Sequence, residues 1–346
     1  MIYGLKGLAL HALTHSFLLP AYRRFTRDAA TVLMMHRFAD SARGNAGDDL
    51  ERLRENLEFL RGHRFDVISV GELMRRLDAD EPLKKSVVFT VDDGYADFAS
   101  AAAPIFAAYD CPVTVFLTTG FVDGSTWFWW DKVSYMIATT KQARMTTALG
   151  GVRIATDLTS EAGRSALMGR LHSWGRHADV ASIDALLSTM SADLEVSVPA
   201  RPPPRFAPLS WDDCRRLEAF GMSFGPHTVT HPNLAMLSRS DADHEIGESW
   251  RRVKAELRFP MPVIAYPYGM YTSFTEGNRA FARTNGIQMG FASESGQVTP
   301  AQRDPSARFM LPRMAYVSEP RAFRQVISGL ERVKDRFRRL AGKALT

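Results

Sequence analysis

Val87-Val88-Phe89-Thr90-Val91-Asp92-Asp93-Gly94-Tyr95 decides how this chain folds. Five β-favouring residues, with Thr90 the single polar break, run into two adjacent carboxylates and a glycine. A near-continuous Val/Phe/Thr run is the pattern of a strand buried on both faces of a parallel sheet. Carboxylates at the mouth of such a strand sit at the carboxyl-terminal edge, where open α/β sheets and β/α barrels place their chemistry. Adjacent acids repel, so the pair is costly unless a cation or a proton offsets it. That points to a metal site. The plain alternative is a helix N-cap, which needs only one of the two.

The alternation continues on both sides of this strand. Thr31–His36 is a short apolar run ending on a histidine. Leu50, Leu53, Leu57 and Leu60 then recur at helical spacing, with Asp48 or Asp49 as cap and Gly62 as stop. Phe65–Val70 reads as a strand, Glu72–Leu77 as a helix, Asp97–Tyr109 as a helix despite Pro104, and Val113–Leu117 as a strand. From Gly124 to about Pro204 the alternation fades, which predicts an insertion opened by Trp127-Phe128-Trp129-Trp130. It resumes with a helix at Trp211–Phe220, a short strand at Met222–Phe224, a helix at Asp241–Leu257, a strand at Val263–Tyr266, a helix at Thr275–Asn285 and a strand at Ile287–Phe291. Strands alternating with helices predict an α/β fold around a parallel sheet. The expected organisation is an N-terminal helical segment over 1–30, a main domain over 31–320 with the insertion at about 125–204, and a basic C-terminal helix over 321–346.

Composition narrows the function classes. The net charge of +5 is concentrated near the C-terminus, where Arg321, Arg324, Arg332, Lys334, Arg336, Arg338, Arg339 and Lys343 face only Glu331 and Asp335. Such a tail suits a solvated helix face or a membrane surface, and no nucleic-acid-binding motif accompanies it. Cys111 and Cys214 are the only two cysteines; they suit buried small hydrophobes better than a disulfide or a zinc–thiolate site. Residues 2–22 are apolar in tendency, but Lys6, His11 and His15 interrupt them short of the roughly 20 residues a spanning helix needs. With Arg23, Arg24 and Arg27 following, this segment reads either as an interfacial helix on anionic lipid or as a helix packed on the domain. The expectation is a cytoplasmic protein, in the first case with peripheral contact at the inner membrane. No protein partner is implied.

Gly225-Pro226-His227-Thr228-Val229-Thr230-His231-Pro232 supplies two histidines four residues apart. On a helical turn that spacing puts both rings on one face, within reach of one metal. The pair is weak evidence alone and strong beside Asp92-Asp93. Two histidines and one carboxylate leave open positions on a divalent ion, as catalytic sites do.

These residues carry a resemblance to the polysaccharide deacetylases (the NodB-homology proteins, carbohydrate esterase family 4). Thr90-Val91-Asp92-Asp93-Gly94 resembles the family's T-F-D-D-G, His227-Thr-Val-Thr-His231 its H-[ST]-x-x-H, and Ala265-Tyr266-Pro267-Tyr268-Gly269 its R-x-P-Y. The resemblance spans about 31–125 and 205–317. It implies a distorted (β/α) barrel of about seven strands, with Asp93, His227 and His231 holding a divalent metal, commonly zinc. Asp92 would be the general base, the amide of Tyr268 an oxyanion donor and Thr228 a buttress of the site. Ala265 stands where the family has the arginine that orients the base, and Arg313 is the candidate substitute; the plain alternative is a surface arginine. The family's last motif, an L-x-H strand end whose histidine is the general acid, is missing after residue 270. Leu33-Met34-Met35-His36 has that shape at the other end of the chain. Some exopolysaccharide deacetylases are circularly permuted, so His36 is the expected acid, against a backbone-satisfied histidine at a strand end. One of the four aromatics at 127–130 would contact substrate; His11, His15, His63, His172, His177 and His244 are read as surface or packing residues. The implied activity is N-deacetylation of N-acetylhexosamine units in a polysaccharide or a lipid-linked glycan precursor. Two alternatives stand beside it: a deformylase or other amide hydrolase on a different N-acyl substrate, and a non-catalytic glycan-binding barrel.

Overall fold

Every residue of the strand Ser86–Val91 is buried, as its unbroken apolar run requires. It lies at the centre of a computed structural model that describes residues 28–328 other than 84 and 150. The elements before it are β1 (Ala30–Met35), α1 (Leu50–Gly62), β2 (Asp66–Val67) and α2 (Val70–Asp78), so Ser86–Val91 is β3. There follow α3 (Ala103–Ala108), β4 (Val113–Leu117), α4 (Thr119–Val122) and α5 (Trp129–Thr139). Next come the strands β5 (Arg144–Leu149) and β6 (Val152–Asp157) and the helices α6 (Glu161–Gly175), α7 (Val180–Asp193) and α8 (Trp211–Glu218). The last third holds β7 (Ser223–Pro226), α9 (Arg239–Glu256), β8 (Val263–Ala265), α10 (Glu276–Thr284), β9 (Met289–Phe291), β10 (Met314–Ala315) and α11 (Pro320–Ser328).

The main sheet runs β10-β1-β3-β4-β7, all parallel, with β2 paired to the start of β3. β8 and β9 form a separate parallel pair. Single bridges join it to the sheet: Phe224 of β7 to Pro260, and Phe291 of β9 to Leu311, just before β10. Seven strands therefore follow one another around the expected (β/α) barrel, with single bridges in place of ladders along one side. That side is made of short strands, β8 and β9 of three residues each and β10 of two. Gly225 makes the approach possible, because a Cβ there would lie 2.4 Å from the carbonyl oxygen of Val263. No side chain can be accommodated against a backbone atom at that distance.

Local chemistry explains where elements begin. Asp49 caps α1 through the Arg52 amide, and Ser210 and Thr275 form reciprocal capping boxes on α8 and α10. The expected strand at 65–70 shrinks to two residues because the Ser69 hydroxyl accepts from the Glu72 amide and starts α2 at Val70. A π-helical turn at Phe98–Ala102 runs directly into α3, and Pro104 lies in the first turn after it.

The insertion carries its own apolar cluster, including Trp129, Val133, Leu167, Leu171 and Met190. It is not only helical: β5 and β6 pair as an antiparallel hairpin. Gly150-Gly151 between two six-residue runs was the available signal for that hairpin. The expected N-terminal helix at 1–30 lies outside the described residues except at its end, where Ala30 already belongs to β1. Of the basic C-terminal segment, α11 is described and residues 329–346 are not. Among the described residues, no helix is long and apolar enough to cross a membrane.

If Gly225 permits the β7–β8 approach, Gly225→Ala should lower unfolding free energy by about 1–3 kcal/mol. Denaturant titration of the purified variant against wild type measures this.

Candidate metal centre and active site

The carboxyl-terminal ends of β1, β3, β7 and β8 and the segment before β10 converge on one buried pocket. The Asp92 amide still belongs to the sheet, donating to the Met35 carbonyl at 2.9 Å. Asp93 then turns to φ 77° and Gly94 to φ 88°, and the two carboxylates part.

Asp92 meets Arg313. The guanidinium grips the carboxylate with two parallel hydrogen bonds, Nη1 to Oδ1 and Nη2 to Oδ2, each 2.7 Å. Its Nε donates to the Ala292 carbonyl at 2.9 Å and Nη1 also to the Thr90 hydroxyl at 3.2 Å. Arg313 is 0% exposed and Asp92 2%, so Arg313 is not a surface arginine. Burial by itself raises the pKa of Asp92. Arg313, with His227 and His36, more than offsets that and holds the carboxyl well below the usual range.

Asp93 meets the two histidines. Its Oδ1 lies 3.6 Å from Nε2 of His227 and 3.6 Å from Nε2 of His231. One ligand atom from each of the three residues falls within 4.8 Å of the others, all three residues being buried. His227 follows β7 directly, and its Nδ1 is 2.7 Å from the Ala265 carbonyl. That acceptor places the proton on Nδ1 and leaves the Nε2 lone pair toward Asp93. Ala265, in the place of the family's arginine, thus contributes its carbonyl.

The segment 227–231 is not the helical turn expected from the four-residue spacing. Thr228 and His231 have φ of 65° and 62°, a left-handed conformation unusual for residues other than glycine. The Thr228 hydroxyl accepts from the His231 amide at 3.1 Å, the buttress expected of it. Two rings converge because an irregular loop folds back.

Burial pushes the pKa of His227 down to about 4 and that of His231 well below its ordinary value. Both rings are therefore neutral and able to ligate. Burial, then the charges of Asp92 and Asp131, drive the pKa of Asp93 well above the carboxylate range. Asp93 Oδ1 has no hydrogen-bond partner among the described residues. A buried carboxylate oxygen without a donor, facing two neutral imidazoles, is the donor set a divalent cation requires. The residues fit a metal.

His36 follows β1, whose Met35 pairs with Val91, so it stands beside Asp92 on the same sheet edge. His36 is exposed; partial desolvation lowers its pKa, Asp92 works against that lowering and Arg313 adds to it. Tyr268 lies across the pocket with its ring centroid 5.1 Å from that of His231 and its backbone at φ 59°. Among the described residues no protein acceptor takes its amide.

The aromatics at 127–130 are mostly anchors. Trp127, Phe128 and Trp129 are buried. Phe128 and half-buried Trp130 stack on each other, and each lies nearly perpendicular to the His231 ring, with centroids 5.5 and 5.0 Å from it. Trp129 Nε1 donates to the Tyr268 hydroxyl and Trp130 Nε1 to that of Tyr95, each at 3.2 Å. The insertion thereby walls the pocket. His63 packs on Phe59 and His172 on Trp129; His11 and His15 lie outside the described residues. Two buried acids had not been singled out from sequence. Asp131 accepts from the Tyr95 hydroxyl at 2.6 Å, and Glu245 of α9 accepts from the loop between the two histidines.

A sequence profile of the polysaccharide deacetylase family matches residues 79–289, more than half of the chain. The chain belongs to the polysaccharide deacetylase family. No curated protein matches the sequence. Solved structures share the fold. Streptococcus pyogenes deacetylase PplD in complex with acetate is 18% identical, with a TM-score of 0.56 over 86% of this chain and 98% of that one. IcaB from Ammonifex degensii is 16% identical, with a TM-score of 0.55 over 86% and 97%. The de-N-acetylase from Aggregatibacter actinomycetemcomitans is 14% identical, with a TM-score of 0.51 over 84% and 96%. As a member of the family this deacetylase is a hydrolase acting on amide-linked acetyl groups. His36 and Arg313 lie on either side of the matched segment; the barrel brings Arg313 onto the Asp92 carboxylate and His36 to the neighbouring strand end.

The adjacent aspartates should respond oppositely to neutralisation in the metal-free protein. Asp92, with its depressed pKa, contributes stability above its unfolded value of about 3.9 that is lost as pH falls through the folded value. Asp93, with its raised pKa, costs stability once pH exceeds that same unfolded value, and the cost grows until its folded pKa is passed. At pH 7, Asp93→Asn should therefore stabilise the metal-free protein. Asp92→Asn, which leaves Arg313 buried and unpaired, should destabilise by about 3–5 kcal/mol. Chemical denaturation in the presence of a chelator measures both.

Proposed function

We propose that this deacetylase is metal-dependent, with Zn²⁺ the most suitable ion, and removes N-acetyl groups from N-acetylhexosamine units of a polysaccharide or lipid-linked glycan precursor. The observation that carries the reading is the buried Asp93–His227–His231 cluster, with its unpartnered carboxylate oxygen, set beside an Asp92 kept ionised by Arg313. A bound divalent ion supplies Lewis-acid polarisation of the acetamide carbonyl and makes a water acidic enough to be the nucleophile near neutral pH.

The chain's own groups divide the remaining work. Asp92 is the base that receives the proton of the attacking water. Its depressed pKa keeps it unprotonated at every working pH, and it also makes the proton's stay there brief. Arg313 positions Asp92: two parallel hydrogen bonds fix the plane of the carboxylate. The Tyr268 amide, free of a protein acceptor, is a donor for the developing oxyanion. His36 passes a proton to the leaving amine nitrogen. The aromatic wall of Phe128, Trp129 and Trp130 keeps bulk water from the histidines.

A non-catalytic glycan-binding barrel was kept in view by the missing arginine at position 265. Arg313 takes that support away, because a guanidinium on Asp92 is what a base needs and a mere binder does not. A different acyl group, such as formyl, is separated by the products.

Zinc-loaded protein incubated with N-acetylated chito-oligosaccharides should release acetate, and chelation should abolish the release. Bound zinc with no acyl release from N-acetyl or N-formyl aminosugars would sink the proposal. His36→Ala should lower kcat by roughly 10²–10⁴ while zinc affinity stays at the wild-type value.

A further inference from the structure

The loop that carries His231 holds a conformation its sequence does not favour, and one buried side chain holds it there. Thr228 and His231 are both left-handed, although neither is glycine. Such residues persist only where the surroundings over-determine them. On one flank the loop is clamped by backbone: the Thr119 amide donates to the Thr228 carbonyl at 3.0 Å and the Gly120 amide to the Val229 carbonyl at 2.9 Å. A Cβ at residue 120 would come within 2.7 Å of that last oxygen, so the clamp itself needs glycine.

On the other flank every donor goes to Glu245. The Val229 and Thr230 amides reach its Oε2 at 2.7 and 2.9 Å, and the Thr230 hydroxyl its Oε1 at 2.6 Å. Glu245 stands in the apolar face of α9, beside Ala242, Ile246, Ser249 and Trp250. It is 8% exposed, and the helix does not need an acid there. The three donors satisfy the carboxylate where water does not.

We infer that Glu245 is the positioning residue of this site: it locks residues 228–231 in the conformation that aims the His231 ring at Asp93. The inference rests on the metal reading proposed above. His227 is held independently, by the end of β7 and the Ala265 carbonyl, so loss of Glu245 displaces one ligand of three. A displaced ligand weakens the metal without removing the site. Asp at 245 keeps the charge but is a methylene too short to reach all three donors.

The test uses the full chain as wild type, Glu245→Ala, Glu245→Asp and the control Ile246→Val, which trims the same buried face without touching the loop. Zinc affinity is read by competition with a chromophoric chelator, and amide hydrogen exchange at 229 and 230 is read on the metal-free proteins. Glu245→Ala should weaken zinc binding by about 10–100-fold and speed exchange at both amides at least about tenfold. Glu245→Asp should fall between it and wild type, and Ile246→Val should match wild type in both. Should Glu245→Ala fail to fold, the Asp variant decides by itself. Unchanged zinc affinity and exchange in a folded Glu245 variant overturns the inference alone, as does an equal loss in Ile246→Val. A wild-type protein that takes up no zinc overturns the metal reading and this inference with it.

Discussion

Two carboxylates on successive residues, both buried, are the constraint around which this barrel is arranged. At an effective dielectric of about 20, like charges 4 Å apart repel by about 4 kcal/mol, and burial adds a desolvation cost to each. The fold answers with two different solutions. Asp92 receives a guanidinium in a bidentate grip and stays ionised. Asp93 faces two neutral imidazoles that leave its Oδ1 without a donor, and burial with the charges of Asp92 and Asp131 pushes its pKa up. The left-handed turn at Asp93 and Gly94 is what lets neighbours in sequence have separate surroundings.

The barrel serves that separation. β3 lies between β1 and β4, so His36 arrives from one side of Asp92 and His227, through β7, from the far side of β4. Arg313 arrives just before β10, which pairs with β1. Short strands joined by single bridges suffice around β8 and β9 because their contribution is to present backbone groups. The Ala265 carbonyl sets the tautomer of His227, and the Ala292 carbonyl steadies Arg313. The insertion adds a wall of aromatic rings against His231 and hydrogen bonds Tyr268 through Trp129, so it belongs to the pocket although its apolar cluster is its own.

Much of this site could be read from short stretches, and the misreadings have physical causes. Asp92, Asp93, His227 and His231 announce themselves because strand ends and close spacing are local properties. A spacing of four is shared by helices and by folded-back loops, so it does not by itself show that the turn between the histidines is irregular. Only the clamps from Gly120 and Glu245 decide between them. Glu245 itself is an acid at a helical position where the 3.6-residue period places the buried face, and that placement is its local signal. The hairpin of the insertion is hard to read for a similar reason: Gly150-Gly151 sits among residues of mixed propensity.

The sequence by itself determined the α/β alternation, the buried central strand, the acidic pair at its end and the family to which these motifs belong, because each depends on residues within a few positions of one another. Tertiary structure alone decided what completes the pair. Arg313 and Asp92 are 221 residues apart, and nothing local to either one shows that they meet. An arginine with no burial signal of its own reaches Asp92 only when β10 pairs with β1, and the histidine after β1 stands beside it only when β1 pairs with β3. The division of labour between the two aspartates follows from that pairing: alone they are equivalent carboxylates, and their different neighbours give them opposite pKa shifts.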